Sequence, residues 1–212
     1  MQREQLEAIV QRLPIFPLPR TVLMPGSTLP LHVFEPRYRD LVTACLDSDG
    51  VMGIATLRPG FESNYEGAPP VHDQLGMGEI VAHQPYPDGR SNIALRYVGR
   101  ARIDQELATD TRFRVVQGTL LPDDDGGVEP ALRSLRVLVL QLGGLSTEAA
   151  EEARRLVQLE GMELADALAR RVLEDVDAQL GYLRADRLVD RVNLVQAELA
   201  RFMAPSQPVG DA

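Results

Sequence analysis

Some residues of this 212-residue chain stand out by type and spacing as candidates to bind a metal, hold a phosphate or attack an electrophile. They are His32, His72 and His83, the single cysteine Cys45, the glycine pair Gly76 and Gly78, and the run Asp123, Asp124, Asp125. Zinc needs ligands at close, regular spacing or an HxxxH pair on a helix, and the three histidines offer neither. Cys45 falls on an apolar helical stripe, where a free thiol behaves as a small hydrophobe, and no histidine stands near it in sequence. The GxG lacks a third glycine and a following helix start, and Glu79 would oppose an anion, so glycines in a strand or bulge explain it better. The aspartate run reads as a solvated turn, and no GxSxG elbow occurs. All 22 Lys+Arg residues are arginines, which removes the P-loop lysine and the Schiff-base amine. The residues therefore predict no catalytic group, no metal and no cofactor.

Composition excludes further classes. Hydrophobic residues make up 44% and charged residues 25%, an ordinary globular balance. A net charge of −9 repels a phosphate backbone unless the arginines are segregated, so nucleic acid is a poor default partner. One cysteine permits no internal disulfide, and the charged residues among the first twelve do not form a signal peptide; a cytoplasmic setting is expected. No stretch approaches the roughly 20 apolar residues of a membrane helix.

The elements that must position any site change character near Pro122 to Pro130. Before it, prolines and glycines punctuate short apolar runs. Helix is predicted over Met1 to Arg12, and an extended path over Pro14 to Pro19. Strands are predicted over Leu29 to Phe34, Val51 to Leu57, Gly78 to His83, Ser91 to Gly99 and Arg112 to Leu121. Pro36 opens a helix whose Tyr38, Leu41, Val42, Cys45 and Leu46 share one face, with Gly50 as its stop. After the break, helices are predicted over Glu129 to Leu142, Thr147 to Leu159, Glu163 to Leu180 and Ala185 to Phe202. The expected division is 1–122 for a barrel, 128–203 for a helical bundle, and 204–212 for a disordered tail rich in Pro, Gly and Ser.

One ordered segment carries a family resemblance. The run from Leu13, Pro14, Ile15, Phe16, Pro17 and Leu18 through Val22, Leu23, Met24, Pro25 and Gly26 leads to Leu29, Pro30, Leu31, His32, Val33, Phe34, Glu35, Pro36, Arg37 and Tyr38. It is similar to the opening of the amino-terminal, substrate-binding domain of Lon proteases. A second progression, Gly76 to Ile80, then Asp88, Gly89, Arg90, then Val98 to Ile103, resembles the same family. It departs at Ala101, where a larger apolar residue is expected. The resemblance implies an α+β fold, a PUA-like β-barrel followed by a helical bundle, in a bacterial cytoplasmic protein. It further implies a non-catalytic adaptor or quality-control module, in a free-standing short form without the ATPase and peptidase. Partners would be unfolded or damaged polypeptides, with a protease acting in trans.

Candidate residues follow from that expectation. Met24, Phe61, Tyr65 and Met77 lie beside turns or in a long polar loop, and Met and aromatic side chains suit adaptable contact with unfolded chain; core placement is the competing reading for all four. Phe34, Glu35, Pro36, Arg37 and Tyr38 could make a ligand site, but charged residues at a proline helix start more often cap and fix the turn. Two further readings follow the barrel: RNA binding on Arg96, Arg100, Arg102, Arg112 and Arg114, or a small molecule in a barrel pocket. The latter would have to do without tryptophan.

Overall fold

The computed structural model describes residues 1–64, 67–144 and 146–203. The chain divides into two compact units: Met1–Pro122 with Gln179–Arg184, and Asp123–Ala178 with the residues from Ala185 on.

The first unit is built on six strands: β1 (Leu13–Leu18), β2 (Thr28–Val33), β3 (Val51–Thr56), β4 (Gln74–Pro85), β5 (Ser91–Leu107) and β6 (Arg114–Leu120). Their order is β2-β5-β4-β3-β1-β6, with a further β5–β6 pairing that closes the last strand back onto β5. Strand β5 makes this possible through its length. Its first part pairs with β4 (Ile80↔Leu95, Gln74↔Arg102), and its last residues pair with β6 (Ala101↔Leu120, Leu107↔Val115). Five strands thus pair in a ring, and β2 flanks it, paired along the outer part of β5 (Leu29↔Leu95, Val33↔Ser91).

Helix α1 (Arg3–Ile9) and a 3-10 turn (Val10–Arg12) precede β1, and α2 (Pro36–Leu46) joins β2 to β3. The local signals are those read from the sequence: Pro36 occupies the first helical turn and Gly50 adopts φ 71° soon after the end.

Strand β3 is buried at every position because it lies between two apolar clusters. Val51 and Ala55 face a cluster with Leu13, Ile15, Leu75, Met77, Ala101, Val116 and Leu120, drawn from all five ring strands and joined by Leu6 and Val10. Met52 and Ile54 face the other, with Phe16, Leu41, Val42, Cys45, Ile93 and Leu95, under α2. A strand covered on both faces reads as a continuous apolar run rather than an alternation. Ala101, the departure from the family pattern, is 1% exposed inside the ring cluster.

The second unit contains α3 (Val128–Gly143), α4 (Thr147–Leu156), α5 (Met162–Val172), the start of α6 (Val176–Arg184) and α7 (Leu188–Met203). Helix α3 packs on α4, α5 and α7, and α5 packs on α7. The core-facing residues include Leu132, Leu135, Val139, Leu164, Leu168, Val192, Val195 and Leu199. Ser146 caps α4 by accepting the Ala149 N–H at 3.1 Å.

The single helix expected over Glu163 to Leu180 is two helices. The Asp175 carboxylate accepts the Ala178 N–H at 2.7 Å and so starts α6 afresh, a capping signal that outweighs the apolar stripe stepping by four. Strand β5 also runs on to Leu107, well past the expected end at Gly99. Its polar tail is held by cross-strand bonds: Arg114 Nη2 to Glu106 Oε2 at 2.6 Å, and Thr119 Oγ1 donating to Asp104 at 2.6 Å. The tail expected over 204–212 lies outside the described residues. Among the described residues, no helix is long and apolar enough to cross a membrane.

Candidate functional site

Beyond the ring, β2 and the outer halves of β5 and β4 form a three-stranded flap. One face of it carries Leu29, Leu31, Val33, Ile93 and Leu95 toward the cluster under α2. Period two then sends Pro30, His32 and Phe34 to the opposite face, beside Asn92 and Ala94 of β5 and Ala82 and Gln84 of β4. Phe34 is 58% exposed, the most exposed of the large apolar side chains described, and Val81 in the β4 bulge and Tyr86 join it.

The aromatic part of this face is ordered by hydrogen bonds. His32 Nδ1 meets Asn92 Oδ1 at 2.7 Å, and the Asn92 amide donates to the Tyr86 hydroxyl at 2.7 Å. The His32 ring lies 6.1 Å from that of Phe34 and 6.2 Å from that of Tyr86. The His32 and Tyr86 rings are thereby fixed, and with Phe34 they stand open to solvent on β2 and just past the ends of β2 and β4, a surface for apolar contact. Among the described residues β2 pairs with β5 alone, leaving its other edge open. The Tyr97 N–H bonds to the Ser27 carbonyl, so alternation points the Pro30 backbone to that open edge. Proline there removes a donor and blunts strand addition, which leaves the side-chain face as the usable surface.

The residues singled out from sequence are not gathered here. Of the expected patch of Met24, Phe61, Tyr65 and Met77, Met24 is 4% exposed and Met77 is fully buried inside the ring, so these two offer no exposed side chain, a correction to that expectation. Burying a methionine removes it from water at a gain of about 2 kcal/mol, which outweighs any turn-side preference for exposure. Phe61 is half-buried in a short 3-10 turn, Phe61–Asn64, and Tyr65 lies outside the described residues.

The motif from Phe34 to Tyr38 splits in two. Glu35 does not cap α2 with its side chain. It accepts from Arg37 Nε at 2.9 Å, while its backbone carbonyl accepts the Tyr38 and Arg39 N–H groups. Tyr38 is buried and stacked on Phe16 at 4.0 Å, with the Arg37 guanidinium 4.7 Å above its ring. These residues build the turn, and Phe34 alone of the five turns a large apolar side chain outward. The alternation Leu29, Leu31, Val33 was the signal that could have found it.

Other candidate groups are engaged elsewhere. His72 lies 3.4 Å from Arg184 Nη2, and Asp123 pairs with Arg191 at 2.6 Å. Asp124 Oδ1 accepts the Gly126 N–H. Among the described residues no group of three His, Cys, Asp or Glu side chains could hold a metal ion.

Of the arginine set considered for RNA, Arg100 is buried at 1% exposure. Arg96, Arg102 and Arg114 pair with Glu79, Asp104 and Glu106, and Arg112 stands 3.7 Å from Asp40. They do not make one free cationic face.

Cys45 is fully buried and its Sγ donates to the Val51 carbonyl at 3.4 Å. Burial pushes its thiol pKa up to about 12, so it is no nucleophile at neutral pH. Because the folded value lies above the unfolded one, its contribution to stability is intact below about pH 9 and is lost as pH rises toward 12. A Cys45→Ala variant is therefore expected to lose less stability than the parent between pH 9 and 11 in urea titrations. Parallel losses would show that burial does not raise the thiol pKa in the folded chain.

A ring of paired strands followed by a helical unit defines an α+β domain. The chain belongs to the family of the ATP-dependent protease La (Lon) substrate-binding domain, which matches residues 12–201. Among individual proteins it resembles Lon protease 1 of Herpetosiphon aurantiacus, 24% identical over 171 residues, which are 74% of this chain and 21% of that one. The chain thus spans about a fifth of the curated relative's length. The fold is shared with the crystal structure of a Lon N-terminal domain protein from Xanthomonas campestris (24% identity, TM-score 0.66, covering 88% of this chain and 97% of that one). It is shared too with the N-terminal domain of the Mycobacterium avium complex Lon protease (16% identity, TM-score 0.69, covering 89% and 98%).

Proposed function

We propose that the chain captures polypeptides through exposed hydrophobic segments, on the outer face of the β2–β5–β4 flap, as a cytoplasmic adaptor or quality-control factor that works with a protease in trans. The observation that carries this reading is the outward Phe34 side chain, set within a motif whose neighbours Val33 and Tyr38 are core residues. Placing a large ring in water is unfavourable for a free domain, and a partner's apolar side chains would relieve that cost. Binding needs no covalent step: Phe34, Tyr86 and Val81 supply apolar area, and the His32–Asn92–Tyr86 bonds hold the His32 and Tyr86 rings in place. Membership of a substrate-binding family supports polypeptide as the ligand class.

The test is a titration of the whole chain against a reduced, alkylated protein that cannot refold. Dissociation constants near roughly 10 µM are expected. Phe34→Asp is expected to weaken binding about thirtyfold, as loss of a central aromatic anchor worth ~2 kcal/mol would, with an unchanged melting temperature because the side chain is exposed. Undiminished binding by Phe34→Asp would remove this face as the site, and no binding by the parent would remove the reading.

A further inference from the structure

We propose that the groove between α2 and the β4–β5 hairpin is an oxyanion site, taking a phosphate or carboxylate group among Arg39, Arg90 and Arg112. The groove has a volume of about 460 Å³, and His83 and Asp40 also line it. Its lining holds three guanidiniums and one imidazole against the Asp40 carboxylate, and from outside the lining Asp88 pairs with the Arg90 guanidinium at 2.7 Å. In a chain with 31 acidic residues against 22 arginines, that local balance runs opposite to the whole.

The pairing states of Arg39 and Arg112 point the same way. Among the described residues the Arg39 side chain makes no hydrogen bond or ion pair, although it is only partly exposed. A half-buried guanidinium carries five N–H donors, and leaving them unmatched is unfavourable unless an anion or water completes them. Arg112 reaches Asp40 only at 3.7 Å, longer than a hydrogen bond, and both side chains are exposed.

Arg39 is also held in position. Gly89 adopts φ 83° at the tip of the hairpin, and a Cβ there would overlap the Arg39 guanidinium. The turn is fixed by the Asp88 carboxylate accepting the Arg90 N–H at 3.0 Å and by the Gly89 N–H bonding the Tyr86 carbonyl. The same carboxylate accepts from Arg90 Nε at 2.7 Å, so the hairpin seats Arg39 and Arg90 on one groove with Arg39 the guanidinium left to lead the contact. Guanidinium forks match the paired oxygens of carboxylates and phosphates. The site stands on these residues alone and does not depend on polypeptide capture by the opposite face of the flap.

Isotope-labelled whole chain would be titrated with pyrophosphate and, separately, with a tetraglutamate peptide, following the arginine Nε–H signals and the Gly89 and Arg90 amides by NMR. At least one probe is expected to shift the Arg39, Gly89 and Arg90 signals saturably, and more weakly as salt rises. The tighter probe distinguishes a phosphate from a carboxylate ligand. Arg39→Gln is expected to weaken binding about tenfold, as loss of one charge-assisted contact would. Arg96→Gln, which removes a charge paired with Glu79 outside the groove, is expected to leave it unchanged. No shift with either probe up to about 10 mM, or equal weakening by the two variants, would overturn the proposal.

Discussion

Replacing Arg100 by Ala is expected to lower the unfolding free energy by about 3–5 kcal/mol, read from urea titrations followed by circular dichroism. Arg100 is 1% exposed at the middle of β5. Its Nη1 donates to the Leu183 carbonyl at 2.8 Å, and its Nη2 donates to the Pro122 carbonyl. Leu183 lies in the last turn of α6, where helix carbonyls have no partner of their own.

The guanidinium therefore serves as a cap supplied from β5, tying residues 179–184 and the end of the β-rich segment to the same strand. Truncation would leave two carbonyls without their donor and a void the size of the lost side chain. Arg100→Lys keeps the charge but lacks the planar fork, and is expected to recover less than half of the loss. A loss below about 1 kcal/mol for the alanine variant would mean that water satisfies both carbonyls, and that the cap is dispensable.

Gly76→Val is expected to cost about 3 kcal/mol or more, through backbone rather than side-chain crowding. A Cβ at Gly76 would run into the Leu23 carbonyl, with the Leu23 Cβ next at 2.9 Å. Neither atom can rotate away, because Leu23 is itself buried at 1% in the cluster under α2. Relief requires the 23–24 segment to lift from β4. The melting temperature should fall by roughly 6–12 °C for a chain of this size. Gly181→Ala makes a useful contrast: nothing lies within 4 Å of the added methyl on α6, and stability is expected to rise by ~0.5–1 kcal/mol. If Gly76→Val melted with the parent, close approach would not be the reason for glycine in the Gly76–Met77–Gly78 run.

Much of the local structure was legible because its signals are local. Pro36 starting α2, the stripe of Tyr38, Leu41, Val42 and Cys45, and the period two of Ile93, Leu95 and Tyr97 all act over a few residues. The ordered motif from Leu13 to Tyr38 carried the family resemblance for the same reason.

The site was less legible. Phe34 sits in that motif beside core residues and reads as one of them until the register of β2 on β5 shows which face it takes. Met24 and Met77 carry no local mark of burial; ring closure and the packing of α2 decide it. Arg100 reads as a surface cation in an arginine-rich stretch, and its carbonyl partners come from Pro122 and Leu183, far along the chain.

By itself the order of residues determined a β-rich segment followed by helices, membership of a substrate-binding family, and the absence of lysine chemistry. The first and last of these depend on composition or on spacing within a turn or two, and the family was read as a resemblance carried by the ordered motif from Leu13 to Tyr38. Only the tertiary structure decided that β5 is long enough to pair on both sides of the ring, and that Phe34 faces out while Met24 and Met77 face in. It also decided that, among the described residues, the Arg39 guanidinium stands without a protein partner beside Gly89. Those outcomes rest on contacts between residues distant in sequence, where burial and register, not local propensity, set which side chains water can reach.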